Sequence, residues 1–120
     1  MKQINPWVLP GLDLSKTAKI KAFVNTICKH YRVKEEHLNL KTRKQDVVNA
    51  RKAISYYLIN QFGYTEEKAA NYFNQTISRS NVHHYKITYG NLLHVKDFDS
   101  TTLDDKVQIH FKKYDILSSQ

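Results

Sequence analysis

Apolar side chains recur every three or four residues along most of this 120-residue chain, and no stretch alternates over the length of a strand. Such spacing gathers apolar groups on one face of an α-helix, which must then be buried against a neighbouring helix. Three glycines and two prolines are too few for the many turns of a β-sandwich or barrel. The sequence therefore predicts an all-α fold, a compact bundle of about five helices.

Capping residues and apolar spacing locate the first two predicted helices. Ser15 is expected to cap a helix that runs to about Tyr31, and a short turn follows at 33–40. A long helix is predicted over 44–62, with Gly63 at the position where a C-cap glycine belongs. The inward stripes are expected to be Ile20, Phe23, Val24, Ile27 and Tyr31, then Val47, Ala50, Ile54, Tyr57, Leu58 and Phe62.

The second half of the chain predicts three more helices. Thr65 is expected to cap a short helix at 66–73, and after a polar turn at 74–77 Ser78 caps a helix that runs to about Val95. Thr101 or Thr102 is expected to cap the last helix. The buried residues are expected to be Ala69, Ala70 and Phe73, then Val82, Tyr85, Tyr89, Leu92 and Leu93, and finally Leu103, Val107, Phe111 and Tyr114.

These elements predict one domain with two flanking segments. Residues 1–14 are interpreted as an extended N-terminal arm, 15–96 as the helical body, and 97–120 as an acidic helix that packs on it. The short helix, tight turn and longer helix at 66–95 have the outline of a helix-turn-helix. That outline also occurs in helical domains that never touch DNA, so it does not decide function alone.

Charge points to a polyanionic partner. Lysine and arginine total 19 against 11 acidic residues, which gives a net charge of +8, although many basic domains bind nothing. Positive charge is densest at 41–52, where Lys41, Arg43, Lys44, Arg51 and Lys52 face one acid, and residues 76–96 contain no acid. The cations at 41–44 are either a soluble loop or the side chains that hold a phosphate at a helix N-terminus, with Arg51 reaching the same strand.

The opening turn of the helix after Ser78 carries residue types that read DNA bases. Arginine can bind guanine bidentately and asparagine can bind adenine, which gives Arg79 and Asn81 possible targets in the major groove. Ser78 and Ser80 complete this polar turn, and His83 or His84 follows it. Serine and asparagine are also ordinary capping residues, so a purely structural interpretation stays open.

Other chemistry is not expected. The chain has no phosphate-binding glycine loop, and its six histidines lack metal-ligand spacing, so no metal and no cofactor are predicted. Cys28 is interpreted as a buried small hydrophobe, and Asp104 and Asp105 as a solvated helix start, so an enzyme is not expected. The lack of a long apolar run predicts no membrane span, and the lack of an apolar leader predicts a cytoplasmic protein associated with the nucleoid.

Residues 40–58, LKTRKQDVVNARKAISYYL, resemble a basic loop and long helix in the C-terminal DNA-binding domain of the bacterial replication initiator DnaA. The resemblance covers roughly residues 18–96 and implies a Trp-repressor-like arrangement around a helix-turn-helix. It also implies that Arg43 enters the minor groove, that Lys41 lies beside it, and that Arg51 holds a phosphate. The positions that match are Lys41, Arg43, Lys44, Val47, Val48, Ala50, Arg51, Ala53, Ile54, Tyr57 and Leu58.

The second half departs from that family. Its signature FGGRDH[ST]TVxHA aligns with FNQTISRSNVHHY at 73–85, where Ser80, Val82 and His84 keep their places. The signature arginine becomes Ile77 and its histidine Arg79, so recognition of the family's usual DNA site is not expected. The family's ATPase domain is also absent from this sequence.

Two functions follow from these features. The leading hypothesis is a double-stranded-DNA-binding module, possibly of a mobile element or phage, with a role in replication or transcription. Its proposed contacts are Lys41, Arg43, Lys44, Arg51, Ser78, Arg79, Ser80, Asn81, His83 and His84. The alternative is a protein-interaction adaptor or decoy that kept the scaffold, suggested by Ile77 in the turn and by Trp7; the chain could also bind itself. No small-molecule substrate is evident.

Overall fold

The computed structural model describes residues 16–74 and 76–118, with side chains through Lys112. Within them the chain is helical: α1 is Lys16–Tyr31, α2 is Gln45–Asn60, α3 is Glu66–Tyr72, α4 is Arg79–His94 and α5 is Phe98–Ser118. A 3-10 helix at Glu35–Asn39 lies between α1 and α2. The all-α prediction is thereby confirmed. The predicted arm at 1–14, with Trp7, the cap at Ser15 and the side chain of Tyr114 lie outside the described residues.

Two of the predicted helix caps are present. The Thr65 hydroxyl accepts a 3.1 Å hydrogen bond from the backbone N–H of Lys68, and the Ser78 hydroxyl accepts one of the same length from Asn81. Gly63 has the left-handed backbone, with φ at 71°, that favours glycine after a helix. The two caps confirm where α3 and α4 begin, whereas α2 ends at Asn60, two residues before its predicted end.

The predicted start of the last helix is wrong. α5 begins at Phe98, and Asp97 is its cap: its Oδ2 accepts from the N–H of Ser100 at 3.1 Å and from its hydroxyl at 3.0 Å. Thr101 and Thr102 therefore lie inside the helix. An aspartate satisfies the free N–H groups of a helix start as well as a threonine does, and its negative charge suits the helix dipole.

The core forms around α2, which packs against α1, α3 and α4, while α5 packs against α1 and α4. The rings of Phe23, Tyr57, Phe62 and Phe111 lie 5.3–6.2 Å apart and join α1, α2 and α5. Most predicted stripes are buried, although Tyr31, Phe62, Tyr85, Leu92 and Leu93 are only partly so. The turn at 74–77 is less polar than expected, because Ile77 is 6% exposed and belongs to the core.

Polar bonds connect the helices inside this core. The Tyr57 hydroxyl donates to Asp104 at 2.5 Å and lies 3.1 Å from the Tyr89 hydroxyl, which links α2, α4 and α5. Burial raises the pKa of both phenols, and the carboxylate of Asp104 adds to the effect. Burial also raises the pKa of the Cys28 thiol to about 12, consistent with its expected role as a small hydrophobe.

No helix in the described part of the chain is both long enough and apolar enough to cross a bilayer.

Candidate nucleic-acid interface

Residues 40–44 form a loop between the 3-10 helix and α2, here called the basic loop. The side chains of Lys41, Arg43 and Lys44 are exposed on it. Thr42 shapes its backbone: its N–H donates to the carbonyl of Leu40 at 2.9 Å, and its hydroxyl accepts from the N–H of Lys44 at 3.3 Å. Lys44 is the N-cap residue of α2, so the loop delivers its cations directly to a helix start.

The guanidinium of Arg51 fixes the shape of this loop through hydrogen bonds to backbone carbonyls. Its Nε donates to the carbonyl of Leu38 at 3.1 Å, one terminal nitrogen donates to the carbonyl of Thr42 at 3.0 Å, and the other donates to the carbonyl of Leu40. The residue is 2% exposed. The rigid fork of a guanidinium suits this three-way contact, which lysine cannot reproduce.

The expectation that Arg51 holds a DNA phosphate is therefore corrected. Each of its three nitrogens already donates to a backbone carbonyl, two in the loop and one at Leu38 just before it, and almost none of its surface meets solvent. A buried cation persists when several acceptors replace its lost water, and here those acceptors belong to the chain itself. Arg51 supports the shape of the basic loop.

A second contact joins the end of the 3-10 helix, immediately before the basic loop, to the turn between α3 and α4. The hydroxyl of Thr76 donates to the carbonyl of Asn39 at 2.8 Å. The buried side chain of Ile77 anchors the same turn in the core. The segments that lead into the basic loop and into α4 are thus attached to one another.

A concave notch of 290 Å³ lies between these segments. From the loop side it is lined by Lys41, Arg43 and the edge of Arg51, and from the other side by Asn81 and Tyr85. Thr42, Val48, Thr76 and Ile77 complete its wall. The structure therefore brings together four of the ten residues that the sequence singled out, from segments some forty positions apart.

The remaining candidates around the start of α4 are close to Asn81 in sequence. Ser78 caps the helix, and Arg79, Ser80 and His84 are exposed. The helix from Arg79 to His94 contains no acidic residue, so no carboxylate of its own offsets the positive end of its dipole. Lys44 and these four residues do not line the notch but flank it along the chain.

His83 is turned towards α3. Its Nδ1 lies 2.5 Å from a carboxylate oxygen of Glu66, and Lys86 donates to the same oxygen at 3.2 Å. The hydrogen bond from His83 is the main reason that the pKa of Glu66 is lowered, and Lys86 contributes less. Between the two histidines that the sequence left open, His84 is the one without this carboxylate partner, and its side chain is exposed.

Sequence reasoning missed Thr76, Tyr85 and Glu66. Thr76 and Tyr85 have no local signal, because their positions in the wall of the notch depend on how α4 packs against α2. Glu66 did have a sequence signal: if residues 66–95 form a helix pair, the first turn of α3 can contact the middle of α4. In the part of the chain that the structure describes, no group of three or more histidine, cysteine, aspartate or glutamate side chains is arranged to hold a metal ion.

Comparison with protein-family models, with curated proteins and with solved structures found no match to this chain. The resemblance to the replication initiator therefore depends on the residues quoted above and on no wider similarity.

Proposed function

We propose that this protein is a double-stranded-DNA-binding module whose contact surface is the basic loop together with the start of α4. The observation that carries the proposal is the notch, where Lys41 and Arg43 meet Asn81 across a concave surface. A loop of cations alone would be unremarkable on a basic protein. In the notch, cations share a cavity with polar groups from a helix start. This combination suggests a nucleic acid, which offers phosphates to the cations and base edges to the polar groups.

Backbone phosphates are assigned to the loop side of this surface. Lys41, Arg43 and Lys44 are exposed there, and Arg51 holds the loop in one shape before any ligand arrives. A pre-shaped loop loses little conformational entropy on binding, which favours affinity. Each phosphate neutralised by a cation releases counterions, so affinity should fall steeply with salt.

Base edges are assigned to the opening turns of α4. Arg79, Ser80, Asn81 and His84 are exposed on them, and recognition helices use these N-terminal positions in the major groove. The acid-free sequence of α4 would avoid repulsion from the phosphates on either side of the groove. In this assignment α3 and α4 act as a helix-turn-helix, and His83 stays on Glu66 at the edge of the contact.

The resemblance to the C-terminal domain of DnaA supports the same surface and extends the proposal. The matched residues at 40–58 include the three cations of the basic loop, whereas the signature of that family's recognition turn is replaced at Ile77, Ser78 and Arg79. A target sequence different from the family's usual site follows. A role in replication or transcription of a mobile element or phage, on the nucleoid, is part of this proposal.

Duplex binding measured by fluorescence anisotropy at several salt concentrations tests the function. The wild-type chain should bind a mixed-sequence duplex with a strong salt dependence, and the double variant Lys41→Ala/Arg43→Ala should lose about two units of the log–log salt slope. The matched control, Lys21→Ala/Lys112→Ala, removes two exposed cations of α1 and α5 that do not line the notch. Equal losses in both variants would mean that net charge, and not this surface, attracts DNA.

Selection of bound duplexes from a random pool then tests base readout. Enrichment of one motif by the wild-type chain, blunted by Arg79→Ala, is the expected result. A symmetric motif would indicate a dimer that reads two half-sites. Failure to enrich any motif despite salt-dependent binding would leave a non-specific DNA-binding module.

A protein-interaction adaptor is the second candidate function. Of the two residues that suggested it in the sequence, Ile77 is buried and Trp7 lies outside the described residues. The observation that now favours it is the pair Val95 and Phe98, which are 69% and 86% exposed where α4 meets α5. Phe98→Ser would abolish capture of a protein partner while leaving duplex binding unchanged.

A further inference from the structure

A second concave site lies between α1 and α5, on residues that the notch does not use. This cleft has a volume of 380 Å³ and is lined on α1 by Thr26, Lys29 and His30 and on α5 by Lys106 and His110. None of the described residues that line it is acidic. We call it the α1–α5 cleft.

His30 contacts one cation and one acid at the cleft. Lys106 Nζ lies 3.0 Å from His30 Nδ1, and His30 Nε2 lies 2.9 Å from a carboxylate oxygen of Asp99. The imidazole therefore lies between Asp99 and Lys106. An ammonium has three N–H donors, so two remain for a ligand when one is directed at His30.

Three acidic residues at the start of α5 have hydrogen-bond partners and do not line the cleft. Asp97 caps the helix, Asp99 is paired with His30, and Asp104 accepts from Tyr57. Among the described residues that line the cleft, those that carry or can carry a positive charge are Lys29, His30, Lys106 and His110. These described residues supply the cleft lining with cations and with no carboxylate.

We propose that the α1–α5 cleft binds a phosphate group. Compact ammonium charges suit phosphate oxygens, and two of them brought in from different helices can hold one dianion between them. The inference does not rest on the proposed DNA-binding function, since the cleft and the notch share no lining residue. The phosphate can come from a free compound such as pyrophosphate or from the backbone of a nucleic acid.

A pyrophosphate titration followed by NMR of the histidine ring protons tests the site. Saturable shifts of the His30 and His110 resonances are expected in the wild-type chain, and Lys106→Met should weaken the affinity by about tenfold or more. His110→Gln is a second variant that keeps Lys106 in place. The matched control is Lys112→Met, which removes an exposed cation from the same helix outside the cleft.

Duplex binding by the same variants identifies the source of the phosphate. If a nucleic-acid backbone enters the cleft, Lys106→Met lowers the salt slope of duplex binding by about one unit, and Lys112→Met does not. If the slope is unchanged while pyrophosphate binds saturably, the ligand is a free phosphate compound. The proposal is overturned if neither assay responds to Lys106→Met, or if Lys112→Met weakens both as much.

Discussion

The hydroxyl of Thr76 donates a 2.8 Å hydrogen bond to the carbonyl oxygen of Asn39, which ties the turn between α3 and α4 to the entry of the basic loop. The turn leads into the start of α4, which is assigned to base edges, and Asn39 leads into the basic loop, which is assigned to phosphates. Their relative position is thus set by a direct bond as well as by the packing of α4 on α2. Substitutions on this surface can therefore separate residues proposed to contact DNA from residues that hold the surface in shape.

Arg51 is the clearest case of a residue that holds the surface in shape. Arg51→Met removes two hydrogen bonds to loop carbonyls and one to the carbonyl of Leu38, and it should lower the free energy of unfolding by about 2–4 kcal/mol in urea denaturation. Duplex affinity should fall as the loop loosens, but the salt slope should stay that of the wild type. A slope lower by about one unit would show that Arg51 contacts a phosphate after all.

Arg51→Lys provides the matched control for that experiment, because it keeps the charge. A single ammonium cannot donate in three fixed directions at the guanidinium's reach, so affinity should stay low in this variant. Recovery of wild-type affinity would mean that charge, and not loop shape, is what Arg51 supplies.

The caps of α3 and α4 offer a matched pair of substitutions. Ser78→Ala and Thr65→Ala each remove one 3.1 Å bond to a backbone N–H, and each should cost about 1 kcal/mol of stability by thermal or urea unfolding. Frayed opening turns on α4 should also blunt sequence preference in the selected duplexes, whereas fraying of α3 should not. Equal loss of preference in both variants would argue against base readout by the start of α4.

Glu66 places a carboxylate beside the proposed surface, where it holds His83 and Lys86. Glu66→Gln removes a negative charge near the phosphates and releases part of His83, so duplex binding at low salt should tighten by roughly twofold. Glu36→Gln is the control, because Glu36 is an exposed acid of the 3-10 helix that does not line the notch. Unchanged anisotropy titrations for Glu66→Gln would place the duplex away from the α3 edge of α4.

Buried tyrosines predict how stability changes at alkaline pH. Tyr57 and Tyr89 are each 1% exposed, and burial raises the pKa of both phenols above the ordinary value of about 10. The unfolded chain therefore loses these protons first, and the stability present below pH 10 decreases as the pH rises above it. The expected slope is about 1.4 kcal/mol per pH unit for each tyrosine in urea unfolding.

Tyr57→Phe checks the origin of that slope. It removes one of the two phenols and the bond to Asp104, so it should lower stability at neutral pH by about 1–2 kcal/mol and make the alkaline decline shallower. An alkaline decline as steep as that of the wild type would assign it to other groups.

Much of the fold could be predicted from the sequence because its signals are local. Three-to-four-residue spacing and the capping hydroxyls of Thr65 and Ser78 gave the helices to within a few residues. The start of α5 was missed because Asp97 and two later threonines are equally good caps, and only packing decides among them. The burial of Ile77 could not be predicted either, because a single apolar residue in a polar turn shows no periodicity.

The candidate site was only half predictable. Charge density identified the basic loop, and residue chemistry identified Arg79 and Asn81. The role of Arg51 was misjudged, since a cation in a basic stretch and a cation under a loop look alike until the carbonyls around it are known. The bond from Thr76 and the contact of His83 with Glu66 depend on tertiary packing, and no spacing along the chain encodes them.

The most direct test of the proposed surface is amide NMR of the labelled chain during titration with a short mixed-sequence duplex at low salt. The account predicts that the largest shifts occur at residues 40–44 and 78–85, and that they decrease together in Lys41→Ala/Arg43→Ala. Shifts confined to the region of Val95 and Phe98, or none at the basic loop, would contradict it.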